Sequence, residues 1–127
     1  MFKETVICII IIILIFSFDM FTQWYTKTST IEMTAMLTSL KGEILKQDTT
    51  QIENKIKEID EKWTKKHDRL AYYIEHDELE KVDTAIVSMK SYVETDDYSS
   101  AVAELDVGKF VLEHIQKKNA FNLENVF

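Results

Sequence analysis

The residues of this sequence that could do chemistry are its histidines. A zinc site needs His, Cys or carboxylate ligands that converge, for instance two at i and i+4 on one helix. His67 and His76 are nine residues apart, so one helix face cannot present both to one ion. His76 and His114 could still meet between helices, where a hydrogen bond or a contact with a helix end is the simpler interpretation. We therefore expect a structural polar contact at His76 and His114 and no bound metal.

The other reactive side chains form no recognisable site. Glu75, Asp77 and Glu78 lack the spacing and the central glycine of a calcium-binding loop. No serine lies in a nucleophile motif, and the chain has no glycine-rich phosphate loop. Cys8 is the only cysteine, so no intramolecular disulfide can form. We expect neither catalytic activity nor a cofactor.

An apolar segment near the N-terminus is a candidate membrane anchor for the rest of the chain. The apolar run covers residues 6–18, and as a helix it would span roughly 20 Å against a hydrocarbon core of ~30 Å. By length alone it fits a signal peptide. Continuing through Phe21 to Trp24 and Tyr25 gives about twenty-one residues and places two aromatic side chains at the membrane interface.

The missing cleavage site favours an uncleaved anchor. No Ala-x-Ala-like pair of small residues follows the apolar run, and Asp19 occupies the critical position. We predict a single membrane anchor over residues 1–27, with a removed signal peptide as the alternative. The positive-inside rule, from Lys3 before the span and Lys27 after it, slightly favours an extracytoplasmic C-terminal domain at the cell membrane. The representative side chains expected to contact lipid are Val6, Ile10, Ile13, Phe16, Trp24 and Tyr25.

Residues 28–127 have the composition of one acidic helical domain. The chain has no proline, two glycines and a net charge of −7, of which Lys3, Glu4 and Asp19 contribute −1, leaving about −6 for residues 20–127. That charge argues against nucleic acid as a partner. Apolar residues at three- and four-residue steps, with Asp48, Asp77 and Asp97 as capping residues, predict four helices and a tail. The expected helices cover about 30–47, 50–75, 78–94 and 97–117, and the apolar tail residues expected to dock are Phe121, Leu123, Val126 and Phe127.

An internal repeat indicates how these helices are arranged. Sliding the chain by forty-nine residues without gaps superimposes core positions and capping residues: Leu37 on Ile86, Leu40 on Met89, Ile44 on Val93, Trp63 on Leu112 and Asp48 on Asp97. Each copy reads as a helix, a short capped turn and a second helix. We therefore predict an all-α fold, a transmembrane helix followed by a four-helix bundle of two helical hairpins, with a short tetratricopeptide-like stack as the alternative.

Aromatic residues on the second predicted helix offer a surface for a partner. Trp63 lies on the apolar stripe, which favours a core position. Tyr72 lies off that stripe and is the candidate for a partner-binding surface, where exposed aromatic side chains often act as anchors.

Several short motifs together resemble a known family. They are Trp63, the stretch Ile74, His76, Glu78 and Leu79, the segment Ala101, Ala103, Glu104 and Leu105, the run Leu112–Ile115, and the terminal Asn125, Val126 and Phe127. In these residues the chain resembles the uncharacterised bacterial proteins grouped as domain of unknown function 4363. The resemblance implies a membrane-anchored helical protein, favours a shared structural role for His76 and His114, and supplies no activity.

These observations lead to one main functional hypothesis. We expect a membrane-tethered helical protein-interaction or accessory subunit, held by the lipid bilayer and partnered by another membrane-associated protein. A homo-oligomer is compatible with the sequence. The alternative is an extracytoplasmic four-helix-bundle sensor that binds a small ligand or ion.

Overall fold

The computed structural model describes the backbone of residues 1–126 and the side chains of residues 1–120. Throughout that part the fold is all-α, as predicted. The four helices are α1 (Phe2–Lys46), α2 (Thr49–Leu70), α3 (His76–Glu94) and α4 (Tyr98–Val126).

The helix boundaries differ from the sequence prediction in three places. The expected anchor and first bundle helix form one uninterrupted helix, α1, because nothing between them breaks a helix. α2 ends at Leu70, and a turn covers the residues expected to complete it. α4 continues through the expected tail to Val126. The predicted docking of Phe121, Leu123, Val126 and Phe127 concerns side chains outside the described residues.

The two hairpin turns repeat each other in backbone detail, forty-nine residues apart. Gln47 and Asp96 both adopt the left-handed conformation that ends a helix, each with φ of 58°. Asp48 and Asp97 follow, and each carboxylate accepts a hydrogen bond from the backbone N–H three residues later, at Gln51 (3.3 Å) and Ser100 (3.2 Å). The capping roles predicted for both aspartates are confirmed.

The capping role predicted for Asp77 is wrong. α3 begins at His76, with Glu75 as the N-terminal capping residue and no side-chain hydrogen bond at the cap. The backbone hydrogen bonds explain this start, because the Glu75 carbonyl already accepts from the N–H groups of Glu78 and Leu79.

The helices form an up-down-up-down bundle. α1 packs along α2 and α4, and α3 packs along α4. Polar contacts join α2 to α3, including an ion pair of 2.7 Å between Lys90 and Asp60. The tetratricopeptide-like alternative is wrong, since the first helix packs along the last and closes the bundle.

One hydrophobic core fills the bundle. Its members recur at three- and four-residue steps on all four helices, and the largest fully buried ones include Leu37, Leu40, Ile59, Leu79, Met89, Leu105 and Leu112. Gly108 brings α4 close to its neighbours: an added Cβ there would lie 3.5 Å from Ala85 and 3.6 Å from Leu37. The core therefore begins within α1 and leaves the first half of that helix uncovered.

Candidate functional site

α1 changes character at Thr22. Before it, the apolar side chains are exposed on every side of the helix, including the predicted anchor residues Val6, Ile10, Ile13 and Phe16. From Thr22 onward, every third or fourth residue is buried in the bundle: Thr22, Thr26, Ser29, Thr30, Met33, Leu37, Leu40 and Ile44. α1 is long and apolar enough to cross a membrane, with a mean hydropathy of 2.6 in its most apolar window.

The first buried residues of α1 are hydroxyl-bearing, and Tyr73 ties them to the turn between α2 and α3. The Tyr73 hydroxyl donates to the carbonyl oxygen of Thr22 at 3.1 Å. It therefore accepts from the Thr26 hydroxyl, 2.8 Å away, because a phenol carries only one proton. Burial raises the pKa of the Tyr73 phenol, and the Thr26 hydrogen bond opposes part of that shift. The α2–α3 turn is thus fixed at the level where α1 enters the bundle.

A groove between α1 and α2 opens beside this junction. We call it the α1–α2 groove; it has a volume of about 520 Å³. The side chains that line it from α1 include Phe18, Phe21, Trp24, Tyr25 and Ser29. Those that line it from α2 and the following turn are Lys66, Arg69, Tyr72 and Tyr73. Three residues singled out in the sequence, Trp24, Tyr25 and Tyr72, therefore line one groove. Tyr72 is 89% exposed at its edge.

Two cations border the α1–α2 groove, and they differ in whether a carboxylate lies next to them. The Lys66 ammonium lies 2.8 Å from the Glu32 carboxylate, which Lys62 also contacts at 3.1 Å. The hydrogen bonds from Lys66 and Lys62 lower the pKa of Glu32. Arg69 stacks over the Tyr25 ring at 5.9 Å and has no carboxylate partner in the described part of the chain. Among the described residues, Lys66 is therefore paired with a carboxylate and Arg69 is not.

The two histidines predicted to share a polar contact face different carboxylates. His76 Nε2 lies 3.8 Å from Glu80, one turn along α3. His114 Nε2 lies 4.0 Å from Glu78, which is 8% exposed and also lies 3.9 Å from the ammonium groups of Lys81 and Lys118. The structure does not bring His76 and His114 together.

A polar cluster joins α2 to α3 at the position of Trp63. The indole N–H of Trp63 donates to Asp83 at 2.6 Å, and His67 Nε2 lies 3.2 Å from the same carboxylate. Trp63 is 5% exposed, in agreement with its predicted core position. Among the described residues, no group of three or more His, Cys, Asp or Glu side chains is arranged to hold a metal ion.

Sequence reasoning missed Ser29 and Arg69. Ser29 is 1% exposed, lines the α1–α2 groove, and its hydroxyl has no hydrogen-bond partner among the described residues. The available signal was spacing, because Thr22, Thr26 and Ser29 extend the apolar stripe of α1 toward the N-terminus at four- and three-residue steps. Arg69 is the only arginine of the chain, but nothing in the sequence placed it beside Tyr25.

The comparisons with known proteins give the family and no more. A family model described as domain of unknown function (DUF4363) matches residues 20–126. No curated protein and no solved structure matches the chain. The matched segment starts just before Thr22, where α1 enters the bundle, and covers all four bundle helices. The chain therefore belongs to the DUF4363 family of domains of unknown function.

Proposed function

We propose that this chain is a single-pass membrane protein whose helical domain serves as a non-catalytic accessory subunit of another membrane protein. The observation that carries the proposal is the continuity of α1. One helix has exposed apolar side chains around its whole circumference in its first half and a buried stripe in its second. A lipid bilayer around the first half of α1 would explain why its apolar side chains are exposed on every side, whereas the bundle buries one stripe of the second half.

The energetics favour insertion. Ten Val, Ile, Leu and Phe residues lie between positions 6 and 16. At about 0.3–0.6 kcal/mol each near the centre of a span, they contribute about 3–6 kcal/mol toward insertion. Asp19 lies near the end of the apolar segment, where an acid can reach the headgroups and its cost falls. The alternative of a removed signal peptide would discard a helix that continues directly into the bundle core.

A continuous α1 also supports the accessory role. Because no linker separates the apolar segment from the bundle, the bundle would stand at a fixed height and orientation on the membrane. Such a rigid arrangement suits a domain that meets a neighbouring membrane protein, whereas a flexible tether suits one that searches for soluble partners.

Exposed apolar side chains on α3 and α4 provide a surface for that partner. Val87 lies seven residues before the end of α3 at Glu94, and Val107 lies nine residues after the start of α4 at Tyr98, so they stand at similar heights on the hairpin. Phe110 follows one turn further along α4 and is 70% exposed. Apolar side chains that are exposed next to one another are typical of contact sites.

Two experiments test this proposal. The full chain should stay in the membrane fraction after alkaline extraction with its N-terminal segment intact by mass spectrometry, and a variant lacking residues 2–21 should become extractable. A photo-crosslinking residue at Phe110 should capture one membrane protein, and the same residue at Lys65, exposed on the diagonally opposite helix α2, should not. Extraction of the full chain, a missing N-terminal segment, or equal labelling from both positions would contradict the proposal.

The sensor alternative would use a second groove at the other end of the bundle. It has a volume of about 530 Å³, and Ile56, Asp60, Lys90 and Val93 are among its lining residues. A thermal-shift screen of the detergent-solubilised chain with metals and metabolites tests it, because a ligand that binds the folded state raises the Tm. No shift with any compound in the screen would count against the sensor.

A further inference from the structure

The α1–α2 groove begins on apolar residues and ends on polar ones. Phe18 and Phe21 line it at the end that continues into the apolar segment, and Ser29 lines it at the other end. A span of about twenty helical residues that starts after Glu4 ends near Trp24. Tyr25 and the Arg69 guanidinium above its ring would then lie at the depth of the lipid headgroups.

The charges of the groove fit a phosphate. Arg69 is exposed and has no carboxylate partner in the described part of the chain, so its planar guanidinium can bind two phosphate oxygens. Lys66 is already paired with Glu32 at 2.8 Å. The groove thus offers one uncommitted cation on an otherwise acidic protein, directly above an apolar wall.

The Ser29 hydroxyl is a second, independent indication of a ligand. A buried hydroxyl without a hydrogen bond is costly and uncommon in folded proteins. Ser29 is 1% exposed, its hydroxyl has no partner among the described residues, and the residue lines the polar end of the groove. A ligand that carries acceptor oxygens would satisfy it.

We infer that the α1–α2 groove binds one membrane phospholipid. The lipid phosphate is bound by Arg69, a further oxygen of the same phosphate accepts from Ser29, and one acyl chain lies along Phe18 and Phe21. The occupant is a lipid rather than a free anion because the groove is continuous with the apolar surface of α1. This inference rests on the proposed membrane insertion, since only then does the groove meet lipid.

Native mass spectrometry of the full chain in detergent tests the inference. Dioleoyl phosphatidylglycerol and dioleoyl phosphatidylcholine should each give a complex with one bound lipid at similar Kd, because both carry the phosphate. Dioleoylglycerol, which has the same acyl chains and no phosphate, should bind at least tenfold more weakly. Equal binding of dioleoylglycerol, or loss of bound lipid at equimolar inorganic phosphate, would overturn the inference.

Matched variants locate the lipid. Arg69→Gln should raise the Kd of phosphatidylglycerol at least roughly tenfold, since the loss of a single charge-assisted hydrogen bond already accounts for that much. Lys65→Gln, which removes the same charge one turn away, should leave the Kd within about twofold. Ser29→Ala should raise the Kd roughly threefold without lowering the Tm of the lipid-free chain, because its hydroxyl has no partner to lose. Equal effects of the Arg69 and Lys65 substitutions would overturn the inference.

Alkaline extraction separates this inference from the proposed function. If the full chain is extracted from membranes, membrane anchoring itself is wrong. If the chain stays in the membrane while lipid binding ignores Arg69 and phosphate, only the assignment of the groove is wrong.

Discussion

Replacing Tyr73 by Phe removes one hydroxyl at the point where the bundle joins the first half of α1. That hydroxyl donates to the Thr22 carbonyl at 3.1 Å and accepts from Thr26 at 2.8 Å. The ring is half-buried and Phe preserves its packing, so the substitution isolates the hydrogen bonds. Tyr72→Phe is the matched control, because its neighbouring phenol is 89% exposed and makes no hydrogen bond among the described residues.

We expect Tyr73→Phe to lower the free energy of unfolding by about 1 kcal/mol. Each hydrogen bond between neutral groups contributes about 1 kcal/mol net, so two would account for about 2 kcal/mol. After the substitution, the Thr26 hydroxyl can rotate to donate to the Thr22 carbonyl, four residues earlier in α1, which recovers about half. For a bundle of about 100 residues, a loss of 1 kcal/mol lowers the Tm by roughly 4–8 °C.

Circular dichroism at 222 nm on the detergent-solubilised full chain measures this effect. Tyr73→Phe should melt roughly 4–8 °C below the wild type, and Tyr72→Phe within about 1 °C of it. If both variants melt together with the wild type, the α2–α3 turn is not fixed to α1 through Tyr73, and the account of the junction is wrong.

Three further predictions concern pH, the turns and the α2–α3 cluster. The pKa of Tyr73 in the folded chain is raised above its unfolded value near 10, so the stabilisation by its neutral phenol is complete below pH ~10 and is lost as the pH rises through the folded pKa. Urea melts of the wild type and Tyr73→Phe should therefore converge in alkali. Gln47 and Asp96 both have φ of 58°, a conformation that Asp tolerates better than Gln. Gln47→Gly should therefore raise the free energy of unfolding by about 1 kcal/mol, and Asp96→Gly should raise it by less. Urea melts in which neither variant is more stable than the wild type would contradict the strain at these turns. Asp83→Ala should cost about 1–3 kcal/mol in the same assay by leaving the buried Trp63 indole N–H without its acceptor, and an unchanged midpoint would show that another group replaces it.

The hairpin organisation could be predicted because it is written in local patterns. The forty-nine-residue repeat aligned core positions and aspartates, and the structure reproduces it in the φ of 58° at Gln47 and Asp96 and in the caps at Asp48 and Asp97. Helix caps depend on a few neighbouring residues, so sequence carries them directly. Asp77 was predicted by the same rule and failed, because the helical hydrogen bonds of α3 start from the Glu75 carbonyl, two residues earlier.

The site was less predictable, since its parts are far apart in the chain. Trp24, Tyr25 and Tyr72 were singled out for separate reasons, and only the antiparallel packing of α1 and α2 brings them to one groove. The continuity of α1 was missed because the chain turns polar after Tyr25 and the anchor was ended at residue 27, whereas the hydroxyls of Thr22, Thr26 and Thr30 are hydrogen-bonded and these residues are buried in the bundle. His76 and His114 were paired because each was expected at a helix end, and packing gives each a different carboxylate.

Tryptophan quenching by brominated lipid tests the central claim most directly, because the chain has two tryptophans at different heights. Trp24 would lie at the membrane interface. Trp63 lies higher, because its neighbour Lys62 contacts Glu32 at 3.1 Å, and Glu32 is about 12 Å further along α1 than Trp24. In vesicles of lipid brominated high on the acyl chains, the wild type should lose part of its emission, and Trp24→Phe, which retains only Trp63, should lose none. Equal quenching of the two proteins, or no quenching of either, would contradict a bundle held above the bilayer by a membrane-spanning α1.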